Sequence, residues 1–205
     1  MCSRSARVIS AKTTGAILIL VCVAFLAPGC GRGIEMGPYP YNFPVIPGIL
    51  ASTSFAGDQE ITSEMMYDVC FLPSESQIQE YLSETAPVGG EFLAVSRIQL
   101  GSARLTVLSG DPGDITEIAL YYLPVDDPNG ERLIASASSP TGFGSTVELT
   151  QANGVNFLDI IRENDASTSD ECPRLRVRAR ASQMPKDDIA FTTELSMDIY
   201  VRVGL

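Results

Sequence analysis

The sequence predicts a mainly β protein: an antiparallel immunoglobulin-like β-sandwich with one or two short helices, after a helical N-terminal segment. Three observations predict it. Apolar residues recur at every second position through much of the second half, as in half-buried strands. Turn-forming residues separate these segments at short intervals. Helical periodicity is confined to two brief stretches, so helices are expected only as inserts.

The first half of the chain predicts two strands and one helix. The strands are placed at Ile49–Phe55 and Met65–Leu72. Ser74 and Gln77 form a capping-box pattern, in which each side chain satisfies a backbone donor at a helix start. A short helix should follow, with an inward face made of Ile78, Tyr81 and Leu82.

The middle of the chain changes to a period of two. Gly101-Ser102 shifts the alternation by one residue, which predicts a glycine bulge within a strand. Asn129-Gly130 predicts a hairpin between strands at Ile118–Tyr122 and Leu133–Ser138. Another short strand is expected around Val147 and Leu149.

A helical turn and two long strands complete the chain. Asn156 is a favoured cap for the turn, and Glu163–Glu171 is predicted as an acidic loop. The last two strands show the clearest alternation in the chain. Their predicted inward residues are Leu175, Val177, Ala179 and Ala181 in the first, then Phe191, Thr193, Leu195, Met197, Ile199, Val201 and Val203 in the second.

The first 30 residues have the layout of a secretory signal peptide. Basic residues come first (Arg4, Arg7 and Lys12), the apolar stretch Gly15–Ala27 follows, and Gly29 precedes Cys30. This ending resembles the lipobox of bacterial lipoproteins. The resemblance implies that Cys30 becomes the mature N-terminus and carries acyl chains.

Three alternatives to lipidation at Cys30 remain open. The first is a retained membrane helix, although about 13 apolar residues fall short of the ~20 that a membrane-spanning helix needs. Ordinary secretion is the second alternative, since Ala27 and Gly29 also suit a small-x-small cleavage site. The third is that the position of Cys30 is a coincidence.

The lipoprotein resemblance also implies a location and partners. It places the protein in the bacterial cell envelope, anchored by lipid. If the host is Gram-negative, the outer membrane is implied, because Gly31 is not the aspartate that commonly retains such proteins at the inner membrane. The expected partners are the membrane, through the N-terminal lipid, and an envelope protein.

The chain divides into three predicted segments: a signal peptide at 1–29, a lipidated proline-rich tether at 30–48 and a single β-sandwich domain at 49–205. Four prolines favour extended structure in the tether: Pro38, Pro40, Pro44 and Pro47. Its aromatic residues are expected to lie at the membrane interface or on the domain, or else to form a docking strip. They are Tyr39, Tyr41 and Phe43.

Composition excludes several classes of function. The leader holds three of the 14 basic residues and none of the 25 acids, so the mature chain carries 11 − 25 = −14. Nucleic acid is therefore not an expected partner, because phosphates require clustered Lys and Arg. The chain has no histidine, which removes Ser-His-Asp machinery and His-ligated zinc or haem. No cofactor is expected.

Acidic loops provide the only weak candidates for a metal. Asp111–Asp114, Asp126–Glu131 and Glu163–Glu171 offer oxygen ligands of the kind that calcium prefers. Their spacing does not match an EF-hand loop, and turns use Asp, Asn, Pro and Gly for backbone reasons. No metal site is predicted.

Two cysteines are expected to pair. Cys2 and Cys22 lie in the leader, and acylation would occupy Cys30. Cys70 and Cys172 remain, and an oxidising envelope favours a disulfide between them.

The clearest candidate site is a stripe of arginines on one predicted strand: Arg174, Arg176, Arg178 and Arg180. Period two places all four on one face, where guanidinium groups suit phosphates and carboxylates. The alternative is pairing with acids across the sheet. If the last two strands form a hairpin, Arg178 lies opposite Glu194 and Arg174 opposite Asp198.

No catalytic residues are predicted, and the sequence favours a non-catalytic structural or protein-interaction module. The alternative is a module that binds anions or polymers through the arginine stripe. A hydrolase is a distant third, because no pair of carboxylates is singled out and Lys186 is the only lysine outside the leader.

Overall fold

The computed structural model describes residues 34–57, 60–86, 93–127 and 129–203. The predicted signal peptide, Cys30 and residues 31–33 lie outside the described residues. The described strands are β1 (Ile34–Asn42), β2 (Ile46–Leu50), β3 (Ile61–Asp68), β4 (Leu93–Ser109), β5 (Ile115–Leu123), β6 (Arg132–Ser138), β7 (Thr146–Glu148), β8 (Thr150–Gln151), β9 (Arg174–Ala181) and β10 (Ile189–Val203). The α-helices are α1 (Glu75–Thr85) and α2 (Phe157–Ala166).

The strands form two antiparallel sheets that share one core. Sheet 1 has the order β1-β10-β4-β7, and β2 also pairs with β10. Sheet 2 has the order β3-β9-β5-β6-β8. Buried apolar side chains from both sheets and both helices form a single cluster. The predicted mainly β sandwich with two short helices is confirmed.

The strand order is that of a jelly roll, a sandwich in which the chain passes repeatedly between two sheets. In an immunoglobulin sandwich the last two strands are neighbours in one sheet. Here β9 lies in the centre of sheet 2, whereas β10 lies in sheet 1. The Met184–Asp188 segment therefore joins two layers rather than forming a hairpin.

The capping box, the glycine bulge and the alternation of the last two strands are present as predicted. Ser74 and Gln77 form the capping box, with Ser74 Oγ accepting from Gln77 N at 3.2 Å and Gln77 Oε1 accepting from Ser74 N at 2.8 Å. Gly101 is the extra residue of a bulge, because Ser196 pairs with Ser102 and Met197 with Leu100. The predicted inward residues of the last two strands are buried through Val201, and Val203 is half-buried.

Helix α2 begins directly after Asn156, the residue predicted as its cap. Asn156 Oδ1 accepts a hydrogen bond from Leu158 N at 3.2 Å. The helix continues to Ala166, so the first part of the predicted Glu163–Glu171 loop is helical. Two strand predictions also shift. Strand β2 ends at Leu50 and is followed by a 3₁₀ turn, and β3 ends at Asp68 rather than at Leu72.

The prediction of a tether is wrong for residues 34–48, because these residues form part of the folded domain. Strand β1 pairs with Ser196–Val203, and β2 pairs with Ile189–Thr193 along the same side of β10. Together they form the outer edge of sheet 1. Proline lacks a backbone donor, and an edge strand tolerates it because half of its donors face away from the sheet. The prolines therefore mark a sheet edge here.

The aromatic residues of this segment pack onto the domain. Tyr41 contacts Phe43 and Tyr81 edge-on, with ring centroids 5.6 and 5.4 Å apart, and Phe43 contacts Phe71 at 5.7 Å. Tyr39, Tyr41 and Phe43 are all partly buried against the core. Of the predicted alternatives, the structure shows the one in which they lie on the domain.

The predicted disulfide is confirmed. Cys70 and Cys172 are bonded with an S–S distance of 2.03 Å. Cys70 follows β3 and Cys172 precedes β9, so the bond closes one end of this strand pair. Neither of the described helices is long and apolar enough to cross a membrane.

Candidate functional site: an arginine–carboxylate ladder

The four predicted arginines lie on the outer face of sheet 2. Their strand, β9, has buried residues at the alternate positions, so every arginine side chain points away from the core. Strand β9 is flanked by β3 on one side and β5 on the other. Both neighbours and the loop before β6 supply carboxylates. We call the resulting set the arginine ladder: Arg174, Arg176, Arg178 and Arg180 with Glu60, Glu64, Asp68, Glu117 and Glu131.

The centre of the ladder is the most tightly connected part. Arg178 Nε donates to Glu64 Oε1 at 2.7 Å, and Arg176 Nη1 donates to Glu131 Oε2 at 3.0 Å. Each carboxylate also contacts the other arginine at 3.6 Å. The Arg178 guanidinium lies over the ring of Tyr121, 4.8 Å from its centroid. Two arginines and two glutamates thus form a closed network.

The two ends of the ladder are looser. Arg180 contacts Glu60 at 3.3 Å and Glu117 at 3.5 Å, and Arg174 contacts Asp68 at 4.0 Å. Exposure follows the same trend: the side chain of Arg176 is 21% exposed, whereas that of Arg174 is 48% exposed. Pairs this exposed contribute between about 0.2 and 1 kcal/mol each.

The arginines are paired, as one of the two predicted alternatives required, but the predicted partners are wrong. Glu194 and Asp198 lie on β10, which belongs to the other sheet. The register instead places Glu64 opposite Arg178 and Asp68 opposite Arg174, both on β3. Adjacency of β9 and β10 in the sequence favours a hairpin, but the chain crosses from one sheet to the other between them.

Within the ladder, the charges of the arginines are nearly cancelled by those of the carboxylates. The hydrogen bond to Glu64 raises the pKa of Arg178, while partial burial opposes this effect. Among the described residues, four arginines face five carboxylates, a net charge of 4 − 5 = −1. A small anion would have to displace Glu64 or Glu131 to reach two guanidinium groups together.

Sequence reasoning missed the two glutamates of the central network, Glu64 and Glu131, and the ring of Tyr121 that lies against Arg178. No local pattern assigns any of them to the arginines. Glu64 lies on a strand 114 residues away from Arg178 in sequence, and Glu131 lies in the turn before β6. Their role depends on which strands neighbour β9, and alternation of apolar residues does not specify that.

An open groove beside the ladder has two glutamates in its lining. It has a volume of about 560 Å³ and is lined by Glu117, Ser136, Ala137, Ser138, Glu148 and Thr150. Glu148 accepts from Arg104 Nε at 2.5 Å, and Glu117 contacts Arg180. A hydrolase would need two acids that converge on a substrate, whereas each carboxylate here contacts an arginine.

The apolar cavity between the sheets is small. It encloses about 30 Å³, and its lining side chains include Phe43, Phe71, Tyr122, Phe157 and Leu195. Sites for small molecules commonly measure ~300–1,000 Å³. This cavity therefore has room for no more than about one water-sized group.

The acidic loops make local hydrogen bonds. Asp111 Oδ1 accepts from Gly113 N at 2.9 Å, and Asp127 Oδ1 accepts from Asn129 N at 3.2 Å. Asp126 Oδ1 accepts from the Ser167 hydroxyl at 3.1 Å. Within residues 34–57, 60–86, 93–127 and 129–203, no group of three or more Cys, Asp or Glu side chains is placed to hold a metal ion.

Comparison with known proteins gives no family for this chain. No family model and no curated protein matches it. Among solved structures, a chain of turnip yellow mosaic virus matches with 11% identity and a TM-score of 0.26, covering 85% of this chain and 96% of that one. A chain of the empty head of the same virus matches with 14% identity and a TM-score of 0.24, covering 90% and 89%. Similarity at this level carries no argument about function.

Proposed function

We propose that this protein is a lipid-anchored domain of the bacterial cell envelope with a non-catalytic structural or protein-interaction role. The observation that carries the proposal is the leader, which ends in Gly29 followed by Cys30 after a basic and an apolar segment. In this account Cys30 is acylated and the outer membrane is the site of anchoring.

The disulfide supports export. Cys70 and Cys172 are joined, and disulfides persist in oxidising compartments such as the periplasm and the cell surface. With these two cysteines paired and the leader removed, Cys30 is the one cysteine left for acylation.

An apolar edge supports an interaction role. Val45, Ile49 and Met66 are each more than half exposed. Ile49 lies on β2 and Met66 on β3, and Met65 Sδ accepts from Ile49 N at 3.3 Å, so the two strands are neighbours. Exposed apolar residues on adjacent edge strands suit contact with another protein.

Substitution at Cys30 tests the anchoring. Cys30→Ser should move the protein from the membrane fraction to the soluble fraction, while wild type should leave the membrane only with detergent. Cys22→Ser is the matched control, because it changes a cysteine that cleavage would remove. Retention of Cys30→Ser on membranes in the same amount as wild type would overturn the proposal.

The anion-binding alternative uses the arginine ladder. Four guanidinium groups on one exposed face favour it, and their existing carboxylate partners oppose it. We therefore assign the ladder a structural role.

A further inference from the structure

The folded domain begins very close to the proposed acylation site. Strand β1 starts at Ile34, four residues after Cys30. A fully extended chain covers at most about 3.6 Å per residue, so the Cα atoms of these residues are no more than ~14 Å apart. A long spacer between lipid and domain is thereby excluded.

The first residue of β1 lies at one tip of sheet 1. Ile34 pairs with Val203 near the end of β10, and Val203 pairs with Leu93 at the start of β4. The next row contains Glu35, which pairs with Arg202. We call this the anchor tip: Ile34, Glu35, Leu93, Arg202 and Val203.

The opposite tip of sheet 1 is far from the anchor. Strand β10 has 15 residues, and a strand rises about 3.3 Å per residue, so its two ends are roughly 45 Å apart. Ser109 lies at that distant end, where it pairs with Ala190. If the anchor tip faces the bilayer, Ser109 is held well away from it.

The chemistry of the anchor tip suits a bilayer surface better than the adjacent sheet face does. Ile34 is 58% exposed, Arg202 is also exposed, and the one carboxylate of the tip, that of Glu35, contacts Arg97 Nε at 3.3 Å. Between the two tips, the outer face of sheet 1 carries the carboxylates of Glu194, Asp198 and Glu148 against the guanidinium of Arg104, a net charge of 1 − 3 = −2 among the described residues. Anionic headgroups repel carboxylates and attract guanidinium groups, so lying flat on this face is unfavourable.

We propose that the anchor tip contacts the headgroup layer, so that sheet 1 stands away from the membrane with Ser109 at its outer end. This inference rests on the proposed acylation of Cys30. It also restricts the envelope partner: the partner must come within about the length of the domain, ~45 Å, of the membrane surface, because the domain has too little free chain to move farther away.

Fluorescence quenching at single labelled positions tests this orientation. The acylated protein is placed in vesicles of phosphatidylethanolamine and phosphatidylglycerol that carry a headgroup quencher. Three exposed sites are each changed to cysteine and labelled: Ile34→Cys at the anchor tip, Glu194→Cys on the sheet face and Ser109→Cys at the distant tip. We expect loss of most of the fluorescence at position 34, a smaller loss at 194 and the least at 109.

Two further results keep the test decisive. Insertion of a flexible Gly/Ser segment between Gly33 and Ile34 should abolish the difference among the three positions. Quenching that is equal at all three positions without the insertion, or strongest at 194, would overturn the orientation while leaving acylation intact. An intact mass without acyl chains would instead overturn the proposed function and, with it, this inference.

Discussion

Cys70 and Cys172 are separated by 102 residues in the sequence, yet their Cα atoms lie 4.9 Å apart and their sulfur atoms are bonded. The bond joins the end of β3 to the start of β9, the strand that carries the arginine ladder. One covalent link thus fixes two neighbouring strands of sheet 2 at the same end. Its contribution to stability should be large, because the loop that it closes is long.

Loss of this disulfide should lower the free energy of unfolding. The chain-entropy model gives up to ~4.7 kcal/mol for a loop of about 100 residues, and measured losses are typically 2–5 kcal/mol. The double variant Cys70→Ala/Cys172→Ala is compared with wild type by denaturant unfolding, with and without reductant. Reductant should destabilise wild type and leave the variant unchanged. A loss below about 1 kcal/mol would contradict the prediction.

Removal of the central arginines separates a structural ladder from an anion site. The double variant Arg176→Ser/Arg178→Ser should lower the free energy of unfolding by about 1–2 kcal/mol, because it breaks the network around Glu64 and Glu131. Calorimetry with inorganic phosphate should show no difference between variant and wild type. The control Arg104→Ser removes an ion pair outside the ladder. Phosphate binding that wild type shows and only the double variant loses would favour the anion-binding alternative.

A glycine on the outer edge of sheet 1 should resist substitution. A Cβ atom added at Gly48 would lie 2.6 Å from Met65 Cε and 2.9 Å from Phe191 Cζ, and it would also overlap the Tyr67 hydroxyl. Gly48→Ala should therefore cost about 1–3 kcal/mol of stability through overpacking. Thermal unfolding measures this cost.

Tyr67→Phe provides the matched rescue for Gly48→Ala. The Tyr67 hydroxyl is buried and has no hydrogen-bond partner within the part of the chain that the structure describes, and burial raises the pKa of Tyr67 above its ordinary value. Its removal alone should be nearly neutral or slightly stabilising. In the Gly48→Ala background it should restore part of the lost stability. Strictly additive effects would show that the hydroxyl is not the group that excludes a Cβ atom.

The ion pair between the helices should make stability depend on pH. The hydrogen bond from Arg162 lowers the pKa of Glu75 below its ordinary value of 4.5, although burial opposes this effect. Because the folded-state pKa is the lower one, the stabilisation is present above the unfolded value and is lost as pH falls through the folded value. Glu75→Gln should thus be less stable than wild type at pH 7, by no more than about 1 kcal/mol for so exposed a pair.

Denaturant unfolding of both proteins over a range of pH checks this dependence. The difference between wild type and Glu75→Gln should shrink below about pH 4.5, where the carboxylate becomes protonated in the unfolded chain and then in the folded one. Glu80→Gln changes an exposed carboxylate of the same helix and serves as the control. A difference that stays constant down to strong acid would contradict the role given to Arg162.

Local chemistry in the sequence predicts much of the fold. The capping box at Ser74, the cap at Asn156 and the bulge at Gly101 each depend on residues a few positions apart. The alternation in β9 and β10 likewise assigns every residue to the core or to the surface. The sequence shows these features directly because the residues that form each of them are only a few positions apart.

Local sequence patterns do not determine which strands pair with each other. Alternation shows that Arg178 faces outward, but its partner Glu64 depends on β3 lying beside β9. The prolines of β1 and β2 illustrate the same limit. They exclude a helix equally well in a spacer and in an edge strand, and only the contact with β10 distinguishes the two.

Intact mass of the protein purified from bacterial membranes, before and after reduction, tests the central claim most directly. The account predicts a chain that starts at Cys30 and is heavier by more than one acyl chain, as stable anchoring requires. Reduction should add only the two hydrogen atoms of the Cys70–Cys172 bond. A chain that starts at another residue, or one that starts at Cys30 without acyl chains, would contradict the account.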